Sequence, residues 1–441
     1  MTVVIEEGKI RQIVAGSPAN MEARGETVDG RGKFVIPGYL DMHSHPLNLP
    51  DPSGYLKLML ASGITGYRQM SGSPQLLKAR AEGRLAYPVG PELLAISGTI
   101  MTDALTPTPE AAAAEVRKQK AEGADFIKTV GLTRANFYGA MNEAKALGIP
   151  FDGHIQSDVD VRDVAKGMRA IEHLGPGEAM LLGCSSDEAA IRKSVAKLAV
   201  APPQVGPGAA DMEDMIARII ASPMASLPDA QLAIIARVIA TYDETKCKEL
   251  VAEFLTDGTW QVPTLIRLRT MAIPDDPAYK NDPNLRFIPA ETRRMWDELA
   301  EEFPKRVSAV NRQTLRELFD LQLKLTRLLA DSGVPMMAGT DAGGSQWVVP
   351  GYSIHQEFDL FAEAGLTPIQ ILQIATINGA KFLGREDTMG TVEVGKSANL
   401  VLLDANPLVD VSNMHRVIGV VRDGIYYASS DLEKLRDSAL P

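Results

Sequence analysis

Short apolar runs alternate with helix-like stretches along most of this 441-residue chain. Many of the helical stretches end at a glycine, and the apolar runs are rich in the residues that favour strands. The strand candidates are residues 34–45, 63–70, 91–97, 124–130, 149–154, 169–174, 259–265 and 333–341. Because parallel strands need a crossover between them, this alternation predicts a parallel sheet covered by helices. Eight such units predict an α/β fold, a (β/α)8 barrel of the TIM type, with insertions at about 178–255 and 270–310.

The two ends of the chain have a different pattern. Both alternate short apolar runs with glycine turns, such as Asp29-Gly30-Arg31-Gly32 near the start and Val394-Gly395-Lys396 near the end. This pattern is typical of hairpins. We expect the ends to form one small β-sandwich domain, residues 1–35 plus 386–441, beside a catalytic barrel at 36–385. Two separate caps are the alternative.

The composition limits the partners and the location. Lys and Arg number 45 against 56 Asp and Glu, a net charge of −11, and no basic block occurs. Nucleic acid and anionic membranes are therefore poor partners. No apolar stretch approaches the length of a membrane span, and Met1 is not followed by a signal-peptide pattern. We expect a cytoplasmic protein, although a leader removed before residue 1 would leave no trace.

Cysteine is rare in this sequence. Cys184 and Cys247 are the two cysteines, too few for a disulfide framework, and neither lies near a cluster of candidate ligands. We interpret them as two thiols.

The histidines are concentrated at predicted strand ends. The chain has six histidines, and four of them, His43, His45, His154 and His173, follow predicted strands. Asp341 ends the last of these strands. Catalytic residues of such barrels lie at the C-terminal strand ends, and alternation along a strand puts His43 and His45 on one face. Imidazole and carboxylate ligands suit zinc or a similar divalent ion, so we predict a metal site.

Lys128 lies in the apolar run Phe126-Ile127-Lys128-Thr129-Val130. A lysine there can extend to the rim or pair with a carboxylate. Burial, however, would lower its pKa and free a nucleophilic amine. Such an amine can take up carbon dioxide to become a carbamate, whose two oxygens can bridge two metal ions.

Several strings together resemble one family. They are VIPGYLDMHSH, FIKTV, FDGHI, IEHLG and AGTDAGG, followed by GLTPIQILQIATINGAKFLG and MGTVEVGKSANLVLLDANPL. They resemble the metal-dependent amidohydrolase superfamily, and more narrowly its branch of imidazolonepropionase-like and prolidase-like enzymes, which includes ochratoxin amidohydrolase-like carboxypeptidases. The resemblance spans nearly the whole chain. It implies a barrel with a small β-sandwich and a site for two divalent ions, with zinc the expected metal.

The resemblance also implies roles for individual residues. The implied ligands are His43, His45 and Asp341 for the more buried ion, His154 and His173 for the other, and Lys128, carboxylated by carbon dioxide, as the bridge between them. A hydroxide held between the ions would attack the carbonyl, because metal binding brings the pKa of water near 7. Asp341 would take the hydroxide proton and give it to the leaving amine. The alternative is that Asp341 is a plain ligand and the proton goes to solvent.

Two segments depart from the family pattern. Ala398-Asn399-Leu400 replaces the common Ala-Asp-Leu, far from the predicted metals. Gly66-Tyr67-Arg68-Gln69-Met70 stands where relatives often have Thr-Val-Arg-Asp. We therefore infer nothing about the pocket from this second strand.

Candidate substrate residues follow from the order of the loops. Leu47, Asn48 and Leu49 come directly after the first ligands and are predicted to line the substrate pocket. Arg267 is a candidate partner for a substrate carboxylate; a solvated arginine is the alternative. His355 is predicted to orient a metal ligand from behind, with a helix-surface imidazole as the alternative.

The predicted function is hydrolysis of the amide bond of an N-acyl amino acid or dipeptide, including aroyl-phenylalanine amides such as ochratoxin. Three alternatives stay open: a cyclic-amide hydrolase similar to imidazolonepropionase, a single-metal deaminase, and a non-catalytic scaffold on the same fold. The expected partners are a small-molecule amide or peptide substrate and further copies of the chain in a homo-oligomer.

Overall fold

The computed structural model describes residues 1–16, 25–198 and 212–440. Parts of the predicted β region (17–24) and of the first predicted insertion (199–211) lie outside the described residues. The strands are β1 Thr2–Glu6, β2 Lys9–Val14, β3 Phe34–Pro37, β4 Tyr39–Ser44, β5 Ile64–Gln69, β6 Glu92–Ile96, β7 Ile127–Thr129, β8 Phe151–Gly153, β9 Ala170–Glu172, β10 Trp260–Val262, β11 Leu400–Leu403, β12 Val417–Arg422 and β13 Ile425–Ala428.

Helices connect and cover these strands. The helices are α1 Pro52–Ala61, α2 Pro74–Ala81, α3 Pro109–Ala121, α4 Arg134–Leu147, α5 Val161–Ala165, α6 Ala179–Leu182, α7 Glu188–Val195, α8 Met212–Ala221, α9 Asp229–Ala240, α10 Glu244–Asp257, α11 Leu265–Ala272, α12 Pro277–Lys280, α13 Ala290–Arg306, α14 Ala309–Ser332, α15 Ser353–Glu363, α16 Pro368–Ala375, α17 Ile377–Phe382 and α18 Ser429–Asp437. Many begin as the sequence dictates. At α3, for example, the Thr108 hydroxyl accepts a hydrogen bond from the Ala111 amide and Pro109 takes the first helical position. Across the described residues, no helix combines the length and apolar character needed to cross a bilayer.

Two parallel sheets form the centre of the molecule. One has the order β4-β5-β6 and the other β10-β9-β8-β7. A parallel bridge between Ser97 and Phe126 links β6 to the segment that leads into β7. The alternation of parallel strands with helices confirms the predicted α/β class.

The eighth predicted strand, residues 333–341, differs from the other seven because it is not a continuous strand. It still makes individual hydrogen bonds to both neighbours. The Met337 amide donates to the Gln261 carbonyl over 3.0 Å, and the Met42 amide donates to the Ala338 carbonyl over 2.9 Å. The segment therefore lies between β10 and β4, while closure of the eight segments into a barrel stays a prediction.

The first predicted strand, 34–45, is divided at Gly38. Before Gly38, β3 pairs with β11 in an antiparallel sheet of order β13-β12-β11-β3, which joins segments from both ends of the chain. After Gly38, β4 pairs in parallel with β5. A Cβ at Gly38 would lie 2.1 Å from the Thr65 hydroxyl oxygen, so glycine lets the chain pass from one sheet to the other. The division into a 1–35 plus 386–441 domain and a 36–385 barrel stays a prediction.

An apolar cluster fills the space among the parallel strands. Leu40 and Met42 of β4 pack there with Ala170, Val262 and Met337, all buried. Burial of these side chains stabilises the sheets. The polar side chains lie at the C-terminal end of the strands, where His43 is found on β4.

The two cysteines form a disulfide rather than the predicted thiols. Cys184 and Cys247 are bonded, with their Cα atoms 4.3 Å apart. The prediction failed because two cysteines 63 residues apart give no local signal of contact. Cys184 precedes α7 and Cys247 lies on α10, so the bond closes the part of the chain that contains α7, α8 and α9.

Removal of this disulfide is expected to destabilise the protein. For a loop of 63 residues, loss of the cross-link changes the free energy of unfolding by up to about 4 kcal/mol through the entropy of the unfolded chain. Urea denaturation of a Cys184→Ala/Cys247→Ala variant should show a lower midpoint than the oxidised wild type. Wild type treated with a phosphine reductant is the control and should match the variant. Equal midpoints for all three samples would contradict the disulfide.

Candidate metal centre

The His-x-His pair lies at the end of β4 and faces Asp341. His43 lies within β4 and is fully buried. His45 is the first residue after the end of β4. Their Nε2 atoms lie 3.1 Å and 3.0 Å, respectively, from the same carboxylate oxygen, Oδ1 of Asp341. The structure thus brings Asp341 into contact with two histidines that lie almost 300 positions earlier in the sequence.

The other two predicted histidines complete a cluster of four imidazoles. His154 follows β8 and His173 follows β9. The ring centroid of His173 lies 4.5 Å from that of His43 and 4.8 Å from that of His154. One ligand atom from each of His43, His173 and Asp341 lies within 4.8 Å of the others, a spacing that suits a shared metal ion.

Hydrogen bonds fix which nitrogen of His43 and which nitrogen of His173 points inward. Nδ1 of His43 lies 2.5 Å from the Glu172 carboxylate, which can only accept, so Nδ1 carries the proton. The Thr264 hydroxyl donates to the Pro263 carbonyl and therefore accepts from Nδ1 of His173. The lone pair on Nε2 is then free to bind a metal, the arrangement usual for metal-ligating histidines.

His45 is held by an equivalent chain of hydrogen bonds. Ser71 donates its hydroxyl hydrogen to Oδ1 of Asn48. The Ser71 hydroxyl oxygen lies 2.7 Å from Nδ1 of His45. The same Asn48 oxygen also accepts from the Gln69 side chain. Asn48 therefore positions His45 through Ser71.

The backbone at the site is strained at three non-glycine residues. His173, Thr264 and Asp341 have φ values of 56°, 46° and 59°, in the left-handed region. Each such conformation costs on the order of 1–3 kcal/mol and persists only where its surroundings impose it. Their concentration around one cluster supports the prediction of a functional site at this end of the strands.

Burial sets the protonation of the cluster. It lowers the pKa of His154 and of His173 well below the ordinary value for histidine, so both are neutral. Burial lowers the pKa of Lys128 to about 8, so the fraction of neutral amine near pH 7 is far larger than for an ordinary lysine. For Asp341, burial acts to raise the pKa, but the neighbouring His173 and His43 outweigh it and hold the pKa well below its usual range.

Lys128 lies on β7 with only 1% of its surface exposed. Among the described residues its Nζ has no hydrogen-bond partner. Its charge affects the pKa of His154 and of His173, and Asp341 affects its own, so Lys128 lies near the cluster. Its role as a metal ligand stays a prediction. A buried amine without a partner is costly unless another group satisfies it.

A buried ionic network that the sequence did not predict lies behind the histidines. Arg68 on β5 donates to Asp152 over 2.9 Å, to Glu172 over 2.5 Å and to the Met42 carbonyl over 2.7 Å. Burial acts to raise the pKa of Glu172, but Arg68 and His43 outweigh it and bring this pKa to about 2. Glu172 is therefore the ionised acceptor that orients His43. Its position directly before His173 was the signal available in the sequence.

Replacement of Arg68 by methionine is expected to destabilise the fold severely. The change leaves Asp152 and Glu172 buried without their cation, at a cost of about 3–5 kcal/mol in the free energy of unfolding. Urea denaturation measures it. Arg84→Met is the matched control, because the Arg84 pair with Glu82 is solvent-exposed and should cost under about 1 kcal/mol. Similar losses for both variants would contradict the role of the network.

The three residues predicted to line the substrate pocket differ in their burial and contacts. Leu47 is buried in the main hydrophobic core, and Leu49 packs against that core while partly buried. Asn48 is engaged with Ser71 and Gln69 as described. These positions lie next to His45, as predicted, while a contact of their side chains with substrate stays a prediction.

Arg267 requires a correction. It is buried, and all three guanidinium nitrogens have partners on the protein. Nε lies 3.3 Å from Oδ2 of Asp341, one terminal nitrogen donates to the Ala221 carbonyl over 2.9 Å, and the other donates to the Ile220 carbonyl. Arg267 therefore positions Asp341 and the end of α8 instead of pairing with a substrate carboxylate.

His355 lies away from the metal ligands. Its ring packs 4.9 Å from that of His415, 6.0 Å from that of Tyr39 and 5.9 Å from that of Phe358, measured between centroids. Tyr39 begins β4, whereas the ligands lie at its other end. These contacts do not support the predicted role of orienting a ligand; nor is His355 on the helix surface, because it is buried.

Comparison with known proteins identifies relatives of parts of the chain. Residues 306–425 match the amidohydrolase family. The chain is 30% identical over 126 residues to a 5-methylthioadenosine/S-adenosylhomocysteine deaminase of Teredinibacter turnerae, covering 25% of this chain and 28% of the deaminase. It is 33% identical over 84 residues to an imidazolonepropionase of Shouchella clausii, covering 18% of this chain and 17% of that protein. Each match thus spans well under half of the relative.

Solved structures resemble nearly the whole chain. A bottromycin amidohydrolase has a TM-score of 0.69 at 22% identity, over 99% of this chain and 84% of that one. A Xaa-Pro dipeptidase has a TM-score of 0.61 at 20% identity, over 97% and 94%. The ochratoxinase of A. niger has a TM-score of 0.57 at 17% identity, over 97% and 90%. These likenesses show the fold, an α/β arrangement of the TIM-barrel type.

Proposed function

Because residues 306–425 match the amidohydrolase family, we propose that the protein is a metal-dependent hydrolase of the amide bond in an N-acyl amino acid or dipeptide. The proposal includes aroyl-phenylalanine amides such as ochratoxin. It also includes closure of the eight strand segments into a barrel and a β-sandwich built from both ends of the chain. The homo-oligomer stays a prediction.

One observation carries the proposal: inward-pointing Nε2 atoms converge with a buried carboxylate and a buried, unpartnered lysine. This donor set fits divalent metal ions, because His154 and His173 are neutral, Asp341 is ionised, and the Lys128 amine has no hydrogen-bond partner among the described residues. His43, His45 and Asp341 would hold one ion, and His154 and His173 a second. Lys128, once carboxylated, would bridge the two.

The ions would supply Lewis-acid activation of water and of the substrate carbonyl. The residues of the chain supply positioning and proton transfer. Asp341 takes the proton of the attacking water and delivers it to the leaving amine. Arg267 on one side of the carboxylate and two histidines on the other fix its orientation.

A deaminase is the second candidate, because the longer of the two sequence matches described above is to a deaminase. Lys128 discriminates between the two functions. Carboxylated Lys128 would give two ions a shared ligand, whereas a site for one ion would leave the Lys128 amine buried without a partner. Burial of Lys128 beside the cluster therefore favours the binuclear hydrolase over the deaminase.

A substrate panel tests the proposal. Full-length protein would be incubated with zinc and with N-acyl amino acids, dipeptides, a cyclic amide and an adenosine-type amine, with metal-chelated protein as the control. We expect hydrolysis of an open-chain amide that depends on added metal. Turnover of the cyclic amide or the amine alone would reject the proposal in favour of the corresponding alternative, and inactivity on all substrates would favour a scaffold.

A further inference from the structure

Helix α8 exposes two large aliphatic side chains. Ile216 and Ile220 each have 49% of their surface exposed. Residues four apart lie on the same face of a helix, so the two isoleucines are neighbours. Exposed aliphatic groups that adjoin one another beside a functional site point to a binding surface.

Ile220, the member of the pair nearer the end of α8, borders the predicted metal centre through the loop that follows Asp341. A Cβ added at Gly343 would lie 2.6 Å from the Cβ of His45, and one added at Gly344 would lie 3.5 Å from Cγ2 of Ile220. Two consecutive glycines therefore separate a metal ligand from Ile220. Neither glycine has a side chain that could screen the isoleucine from the site.

The end of α8 is also fixed relative to the catalytic carboxylate. Arg267 donates to the carbonyls of Ile220 and Ala221 while its Nε faces Asp341. Farther along the helix, Arg218 donates to Glu298 of α13 over 2.9 Å. Because α8 is tied at these points, its exposed face has a defined position beside the reacting groups.

We propose that Ile216 and Ile220 form an apolar wall of the substrate pocket, which binds a bulky apolar acyl group and so selects aroyl or long-chain acyl amides over formyl or acetyl amides. The wall faces the acyl side because the two arginines that anchor this helix, Arg218 and Arg267, are already paired within the protein. A substrate carboxylate placed here would have no available cation from either. This inference rests on the proposed amide hydrolysis.

Selectivity of matched variants tests the wall. Ile216→Ala and Ile220→Ala would be assayed in the metal-loaded, full-length protein on N-benzoyl and N-acetyl forms of one amino acid. We expect kcat/KM for the benzoyl substrate to fall about tenfold, the effect of lost methyl groups in an apolar pocket, while the acetyl substrate changes less than about twofold. Ile425→Ala is the control, since Ile425 is 58% exposed on β13; it should change neither value.

Each remaining outcome decides the proposal. Equal loss on both substrates, or no loss on either, would overturn the wall. Dissociation of the variants into smaller species in sedimentation, without altered selectivity, would instead identify this face as an interface between copies and would also overturn it. If wild type hydrolyses neither of these substrates nor any amide of the substrate panel, the proposed function fails, and calorimetric binding of the benzoyl amino acid decides: weaker binding to the variants supports the wall, and equal or undetectable binding refutes it.

Discussion

Asp341→Asn is expected to lower kcat on amide substrates by about a thousandfold or more. Asparagine keeps the shape of the side chain but cannot accept a proton. It also removes the charge that faces His43 and His45 over 3.1 Å and 3.0 Å and Arg267 over 3.3 Å. Steady-state kinetics at saturating zinc, with metal content determined on the same samples, measures the effect.

A matched control separates this effect from a general loss of charge. Asp387 is exposed, and Asp387→Asn should retain wild-type kcat and metal content. If Asp341→Asn binds metal normally and loses less than about tenfold in kcat, Asp341 does not transfer the proton, which then goes to solvent.

Lys128→Met is expected to act in opposite directions on activity and on stability. Loss of the bridging group should lower kcat by about a hundredfold or more, because the second ion loses a ligand. The metal-free protein should become more stable, since methionine removes a buried amine without a partner. Replacement of buried ionisable groups by apolar ones of similar volume often stabilises a protein by about 1–4 kcal/mol.

The pH dependence of stability isolates this lysine. Its pKa is about 8 in the folded protein against 10.5 ordinarily. Between these pH values the unfolded chain holds a proton that the folded chain lacks, so the stability of metal-free wild type should rise with pH by up to about 3 kcal/mol from this group. Urea denaturation in chelator from pH 7 to 10.5 should show this component in wild type and in the exposed control Lys166→Met, but not in Lys128→Met. If the free energy of unfolding changes with pH in the same way in all three proteins, the lowered pKa of buried Lys128 would be contradicted.

The sequence predicted best those features that have a local pattern. Strand periodicity and glycine stops located seven of the parallel segments, and histidines at strand ends located the cluster that is predicted to bind metal. The division at Gly38 was missed because a single glycine inside an apolar run does not reveal that its two sides join different sheets. The eighth segment was predicted as a regular strand, but its hydrogen bonds are separate contacts to two neighbours.

Contacts between distant segments were beyond what spacing encodes. Arg68 lies 104 residues from Glu172, and nothing near either one indicates the pairing. The same holds for Cys184 and Cys247. Arg267 was placed correctly near the site, but its partner depends on how α8 packs, and the strand pattern carries no information about that helix.

The central claim is that side chains from five strand ends hold two divalent ions around Asp341 and Lys128. Quantitative metal analysis of the full-length protein, reconstituted with zinc and freed of excess, tests it most directly. We expect about two ions per chain in wild type and about one or fewer in Lys128→Met. A wild-type protein that hydrolyses amides with less than one ion per chain, or that binds the same number of ions without Lys128, would contradict it.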